Sequence, residues 1–416
     1  MRCAERFIAA GVLGTGAATL FAQPEFFLVG TPTSNLEFRV TDISEGGGTV
    51  VGLTGTDGAW RWDRGVGYQV MPTLTVPGGT CSAYSAFVSA DGTRVVGHGG
   101  GAQCAARVRQ VFLWTQGGAP VIGPNNSAST YVTVKGINAA GTLAGLTVEE
   151  MGYLEMGTTQ VLGPNSYSRP TTPGIYVQGC GLPGDWYATN ASGMTPDGAV
   201  LGSIFDCNDM FPGIVWRGGL VHTRLAEVPV AGSWYADVII SQQRRYTAGG
   251  TQSQALSFAP GSVATDVSWD GGVITANVPV GPLTRAGYSV NNGQPNDLQL
   301  ALQTAGAQLP AGIVLQSAAA VSGDGRWITG MALLASGQRQ AYIAHIPGMC
   351  GDLDFNNDGI SPDTFDIETL LCAVSGDCCW QAVPACDSID INMDGLFPDV
   401  ADIEAFLTMF SGGTCF

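Results

Sequence analysis

The chain has 416 residues, 60 of them glycine, and sets 17 basic side chains against 34 acidic ones for a net charge of −17. That length allows a large core and a second, smaller domain. With no basic face to neutralise phosphates, composition argues against nucleic acid as a partner.

Arg2 and Arg6 precede an uncharged run from Phe7 to Ala22. This is the length of a secretory signal core and falls short of the ~20 apolar residues a spanning helix needs. Residues 1–22 are therefore expected to be a signal peptide cleaved after Ala22, with an uncleaved anchor as the alternative. No later stretch is long and apolar enough to cross a bilayer, so no transmembrane segment is expected after cleavage. Removing Cys3 leaves ten cysteines in close groups: Cys81 with Cys104, Cys180 with Cys207, and six between Cys350 and Cys415. An exported protein meets an oxidising compartment, where disulfides are expected. Secretion or the cell surface is the expected location.

From residue 36 to 347 the chain is rich in Gly, Val, Ala, Thr and Trp, with little helical periodicity. A weak unit recurs: Ser-x-Asp-Gly-x-Val-x-Gly, a variable loop, then Ala-Phe-x-Trp or its equivalent. The clearest copy runs Val88-Ser-Ala-Asp-Gly-Thr-Arg-Val-Val-Gly97 and is answered by Val111-Phe-Leu-Trp114. Others begin at Ile43, Ile137, Met194, Val267 and Val321, with a blurred copy at Tyr246 to Gly249. Asp-Gly between apolar, β-rich runs signals a tight hairpin. Such a hairpin cannot bury its own face, so neighbouring units must stack. The recurring glycines stand at 52, 97, 145, 202, 249 and 330, mostly about 45 to 57 apart where units adjoin, which is a propeller blade length. The expected fold class is mainly β, a seven-bladed β-propeller. The closeness of the fifth and sixth units leaves six or eight blades open, and a β-helix or sandwich array competes. A closed ring is favoured because it removes exposed sheet edges. The unit resembles the HAF-type extracellular repeat, here with Ala-Phe or Ala-Trp in place of its signature; that resemblance implies secretion and no particular chemistry.

No active site is legible. His98, His222 and His345 fall in separate repeats without a shared partner spacing. Gly99-Gly100-Gly101 lacks the Lys-Ser/Thr of a phosphate loop, and Lys135 is the single lysine. Trp186-Tyr-Ala188 and Trp234-Tyr-Ala236, with Tyr84 and Tyr131, precede inner-strand positions. Such aromatics either ring a channel mouth, where they stack on polysaccharide, or fill gaps between blades.

The end of the chain is written twice. Cys350 to Glu368 returns as Cys386 to Glu404 with a constant offset of 36. Residues 350–416 hold 13 acids and no Lys or Arg, leaving 21 acids against 17 bases in the rest. Asp354, Asn356 and Asp358 stand at alternate positions, as do Asp390, Asn392 and Asp394, so their oxygens face one centre. Gly359 and Gly395 follow where the loop must turn sharply, and the carbonyls of Ile360 and Leu396 occupy the next ligand place. Asp363 and Asp399 add a direct or water-mediated ligand, and Asp366 and Asp402 close each loop one residue later than an EF-hand does. An amphipathic run follows each loop, from Ile367 to Val374 and from Ile403 to Phe410. Hard oxygen ligands in this pattern suit Ca2+, and two ions are expected. One bridge closing each half (Cys350, Cys379, Cys386 and Cys415 repeat at the same offset) is attractive, but the connectivity stays open. A zinc site at Cys372, Cys378, Cys379 and Cys386 is the rival reading.

Residues 350–416 resemble a dockerin, the paired calcium-loop module of secreted bacterial proteins, in its variants at the ends of planctomycete-type extracellular proteins. The resemblance implies a small α-helical, calcium-binding docking module with a cohesin-like or cell-surface partner; the one-residue insertion departs from its pattern. The whole reads as a signal peptide (1–22), a propeller (36–347) and a calcium module (350–416). A secreted, non-catalytic binding or structural protein is expected. A propeller glycoside hydrolase or polysaccharide lyase is the alternative, to be favoured by two or more carboxylates in the central channel.

Overall fold

A computed structural model describes residues 25–33, 38–54, 58–72, 74–76, 79–100, 110–122, 130–150, 154–161, 189–204, 213–217, 220–247, 249–346, 364, 367–368, 403–404 and 406–408. Residues 24–349 form one compact unit.

That unit is built from antiparallel sheets whose strands follow one another in sequence. The first sheet runs Arg39–Ile43, Thr49–Leu53, Ala59–Asp63, Gly67–Val70. In the second, Phe87–Val88 and Gly79–Ala83 pair with Arg94–Gly100, followed by Gln110–Thr115 and Val121–Ile122. The third has Thr130–Ile137, Leu143–Glu150 and Leu154–Val161. The fourth begins at Thr189–Met194, the fifth at Pro229–Gly232 and the sixth at Val263–Val267, each with three further strands. The last runs Val314–Val321, Trp327–Leu333, Arg339–His345 and takes its outer strand, Phe26–Thr33, from the other end of the unit. Phe26 stacks on Tyr342 there, and the Gln340 side chain donates to the Gly30 carbonyl at 2.7 Å. This pairing closes the ring and covers the strand edge that the final sheet would otherwise expose.

The propeller expected from the sequence is present, with a correction to its count. Five sheets have the four strands of a full blade and the second has six, whereas the third has three among the described residues. Six full blades therefore form among the described residues, not the seven expected. The innermost strand of every sheet lines one central cavity of about 310 Å3.

The recurring glycines have a packing cause. A Cβ on Gly52 would lie 2.1 Å from the Arg39 carbonyl and 2.5 Å from the Trp60 ring. Gly97 meets Ser85 and Phe112, Gly202 meets Asn190 and Trp216, and Gly330 meets Ser317 and Tyr342 in the same way. In these four sheets the aromatic of the third strand thus lies over a bare backbone position of the second, which couples the Gly of the repeat to its Ala-Phe or Ala-Trp. Middle strands such as Thr49–Leu53 are buried along their whole length, so they read as continuous apolar runs instead of alternating ones.

The hairpin after each inner strand starts on a buried Ser, Thr or Asn: Ser44, Ser89, Asn138, Thr195, Ser233, Ser268 and Ser322. Each side chain accepts the backbone N–H that closes the turn, for example Arg94 to Ser89 at 3.1 Å and Val273 to Ser268 at 2.9 Å. The fifth hairpin is the one that begins at Ser233. The blurred unit at Tyr246 to Gly249 is not a hairpin of this kind; it begins inside the third strand of the fifth sheet, Arg244–Thr247.

Outside the propeller, residues 367–368, 403–404 and 406–408 are helical, Phe406 is fully buried, and the Thr408 hydroxyl donates to the Glu404 carbonyl at 2.7 Å.

Candidate functional site

The twelve residues expected to hold calcium (Asp354, Asn356, Asp358, Ile360, Asp363, Asp366, Asp390, Asn392, Asp394, Leu396, Asp399 and Asp402) lie outside the described residues, as do the six cysteines around them. Trp186-Tyr-Ala188 and the signal segment lie outside them too. The site that can be built from geometry is the central channel and its rim.

Six inner strands carry a bulge, and the bulged residues are Thr41, Lys135, Ser192, Val230, Thr265 and Ala319. All six line the cavity. An extra residue re-aims its side chain, so the bulges decide what the channel displays. The Thr41 hydroxyl donates to the Ala86 carbonyl of the next sheet at 2.5 Å, Thr265 to Ala318 at 2.8 Å and Ser192 to Pro229 at 2.5 Å. Beside two of them stand Asp42 and Asp266. Asp42 accepts the N–H groups of Ile43 and Val88, both at 2.8 Å; Asp266 accepts those of Val267 and Val321, both at 2.9 Å. Burial pushes each carboxyl up to about 7 against those donors, and the charge of Asp266 raises Asp42 further. These two residues were missed in the sequence, although their signal was there: Thr41-Asp-Ile-Ser44 recurs as Thr265-Asp-Val-Ser268.

The rim of one channel end is a girdle of main-chain hydrogen bonds between successive hairpin tips. The N–H of Glu45 donates to Ala90 (3.1 Å), Ala90 to Ala139 (2.9 Å) and Ala139 to Pro196 (2.7 Å). Trp234 donates to Trp269 (2.7 Å), Trp269 to Gly323 (3.0 Å), and Asp324 returns to Glu45 (3.3 Å). Pro196 has no N–H, so the girdle is interrupted between the fourth and fifth hairpins.

At that interruption the fifth hairpin departs from its fellows. The others place glycine in the left-handed region at their tips, at Gly47, Gly92, Gly141, Gly198, Gly271 and Gly325. Here Tyr235 (φ 59°) and Ala236 (φ 60°) occupy it. Left-handed backbone costs a residue with a Cβ roughly 1–2 kcal/mol. The Trp234 ring lies 5.4 Å from Trp269 and 6.1 Å from Tyr235. Tyr235 is 60% exposed, and the Arg217 guanidinium sits 5.9 Å over its ring while pairing with Asp197. Trp234-Tyr-Ala236 follows its inner strand; the sequence reading placed it before one. Tyr84, also exposed, stacks against His98 in the second sheet.

Two histidines have structural surroundings. Nδ1 of His98 lies 2.7 Å from the Ser85 hydroxyl and accepts the Val134 N–H at 3.2 Å, which assigns its proton to Nε2. His345 packs edge-on against Trp327, and burial, then Arg326 and Arg64, hold it down to about 4. Among the described residues, no three His, Cys, Asp or Glu side chains gather as a metal cage, and no helix is long and apolar enough to cross a membrane.

No protein-family model matches the sequence, so neither the dockerin nor the extracellular-repeat resemblance gains support there, and no curated protein matches it. Among solved structures the chain is similar to the β-propeller domain of the Trilobed protease from Pyrococcus furiosus (7% identity, 75% of this chain and 96% of that one, TM-score 0.49). It is also similar to acylaminoacyl peptidase from Pyrococcus horikoshii (7%, 74% and 51%, TM-score 0.47) and to a TolB from Agrobacterium tumefaciens (10%, 74% and 90%, TM-score 0.36). The propeller assignment rests on the ring of sheets itself.

Proposed function

We propose that this chain is an exported, non-catalytic binding protein: a propeller that presents a ligand at its rim, followed by a duplicated acidic end that holds two Ca2+ ions and attaches the protein to a cohesin-like or cell-surface partner. The observation that carries the non-catalytic part is the use made of the channel's polar groups. Both carboxylates and the hydroxyls of Thr41, Ser192 and Thr265 are engaged by the backbone in or next to the inner strand of the neighbouring sheet. A group that staples the ring is not free to move a proton to substrate at hydrogen-bond reach. The attachment part is supported by the 36-residue repeat of oxygen ligands. At the millimolar calcium found outside cells, sites of about 10⁻⁴–10⁻³ M affinity are filled, so the metal is structural. The test is retention of the full chain on a cell-wall fraction in calcium and in chelator. Retention in calcium, release by chelator and no retention of Asp354→Asn/Asp390→Asn are expected; equal retention throughout overturns the reading.

One observation favours a second reading, a propeller glycoside hydrolase or lyase. The channel does hold two carboxyls, both raised to about 7 and one influenced by the other's charge. Acid–base cleavage of a glycosidic bond uses two carboxyls, one protonated as the acid and one ionised as base or nucleophile. Product analysis on polysaccharide decides it: cleavage abolished by Asp42→Asn or Asp266→Asn would establish the enzyme.

A further inference from the structure

The residue after the buried Ser, Thr or Asn of each hairpin sits on the rim, and in chain order these residues are Glu45, Ala90, Ala139, Pro196, Trp234, Trp269 and Gly323. The two tryptophans occupy adjacent places. Tyr235 joins them, so three touching aromatics are gathered in one sector, next to the break in the girdle. Trp269 also lines the channel cavity, where the polar side chains of Asp42, Asp266, Ser192 and Lys135 are displayed. The sector carries both signs of charge: Asp197 paired with Arg217, and the exposed Asp237 and Asp270.

We infer that this sector binds a neutral polysaccharide, one pyranose laying its C–H face on a single ring of the Tyr235–Trp234–Trp269 group and its edge against the neighbouring ring, while its hydroxyls meet the flanking charged side chains. The retained left-handed backbone at Tyr235 is the first argument. Six sister hairpins relieve that conformation with glycine, and the one that does not is the one that puts a phenol ring 60% into solvent. Strain kept where relief is a single substitution away points to use of the side chain. Charge is the second argument. The Tyr235 face already has the Arg217 guanidinium over it, so the place of an organic cation is taken within the chain. A sugar hydroxyl both donates and accepts, which suits a rim of carboxylates and a guanidinium. Aromatic bodies with a few polar groups beside a cavity of this size are how small ligand units are held.

This deepens the binding reading proposed above and rests on it. The test uses the full chain, calorimetry, and four neutral probes: cellohexaose, xylohexaose, mannohexaose and chitohexaose. Binding of at least one is expected, weakened about tenfold or more in Tyr235→Gly and in Trp234→Ala. Tyr235→Gly should melt no lower than the parent, because glycine accepts the left-handed backbone. Ala236→Gly relieves the neighbouring residue without touching a ring and should bind as the parent does. No binding of any probe overturns the inference, as does equal binding by the parent and Tyr235→Gly. So does binding of tetramethylammonium chloride in place of the sugars, or a parent dimer that Tyr235→Gly dissociates. Cleavage of a bound probe would instead overturn the non-catalytic reading and leave the stacking sector standing.

Discussion

The Asp42 carboxylate accepts the backbone N–H of Val88, one sheet further round the ring, at 2.8 Å. Asp266 does the same to Val321. Each carboxyl holds its proton from 3.8 up to about 7 because burial penalises its charge more than two N–H donors favour it. A carboxyl that binds protons more tightly when folded stabilises the fold at acid pH, and that contribution is lost as pH rises from about 4 to about 7. Both side chains keep some exposure to the cavity, so about 4 kcal/mol each is a ceiling. Thermal melts across this window should show a steeper fall for the parent than for Asp42→Asn/Asp266→Asn, which should be less stable overall and flatter.

His345 acts in the opposite sense. Its proton is disfavoured by burial and by Arg326 and Arg64, from 6.5 down to about 4. The folded state therefore loses stability as pH falls through that interval. His345→Gln should remove this acid-side loss, read as the difference in urea midpoint between parent and variant at pH 6.5 and pH 4.5.

Gly97 and Gly46 separate two kinds of glycine. A Cβ at Gly97 would lie 1.9 Å from the Ser85 carbonyl and 2.6 Å from Phe112; one at Gly46 would touch nothing within 4 Å. Gly97→Ala is expected to cost about 3 kcal/mol or more, because backbone has to shift, and Gly46→Ala less than about 0.5 kcal/mol. Equilibrium urea unfolding checks both.

Arg61 and Asp63 form a buried pair between the first and second sheets. Arg61 donates to both carboxylate oxygens, at 2.5 and 2.7 Å, and to the Gly92 carbonyl at 2.8 Å; Thr49 also donates to Asp63. Arg61→Ala leaves the carboxylate buried without its partner and should cost about 3–5 kcal/mol. Arg61→Met/Asp63→Leu should regain most of that, since two apolar side chains need no compensation. Chemical denaturation of the three proteins decides it.

The repeat was legible where one residue type meets one fixed constraint. Gly with a following aromatic reports the close approach of Trp60 to Gly52, and Asp-Gly reports a left-handed tip. The fifth hairpin carries no such signature because Tyr235 and Ala236 stand where the pattern needs Asp-Gly, which leaves the blurred match at Tyr246 as the only trace of that unit in the sequence. The blade count erred because loop length, not strand content, dominates the spacing of the glycines. The channel carboxylates were hidden by their bulges: an extra residue breaks the period of two, and Asp42 and Asp266 fall out of step with any alternating pattern. The partner strand that closes the ring, Phe26–Thr33, precedes the first repeat and carries none of its signature.

The most direct measurement is the number of calcium ions carried by the intact chain, counted by native mass spectrometry after exchange into volatile buffer with calcium. The account predicts two ions for the parent, one for Asp354→Asn and none for Asp354→Asn/Asp390→Asn. A parent that carries none, or a double variant that still carries two, contradicts it.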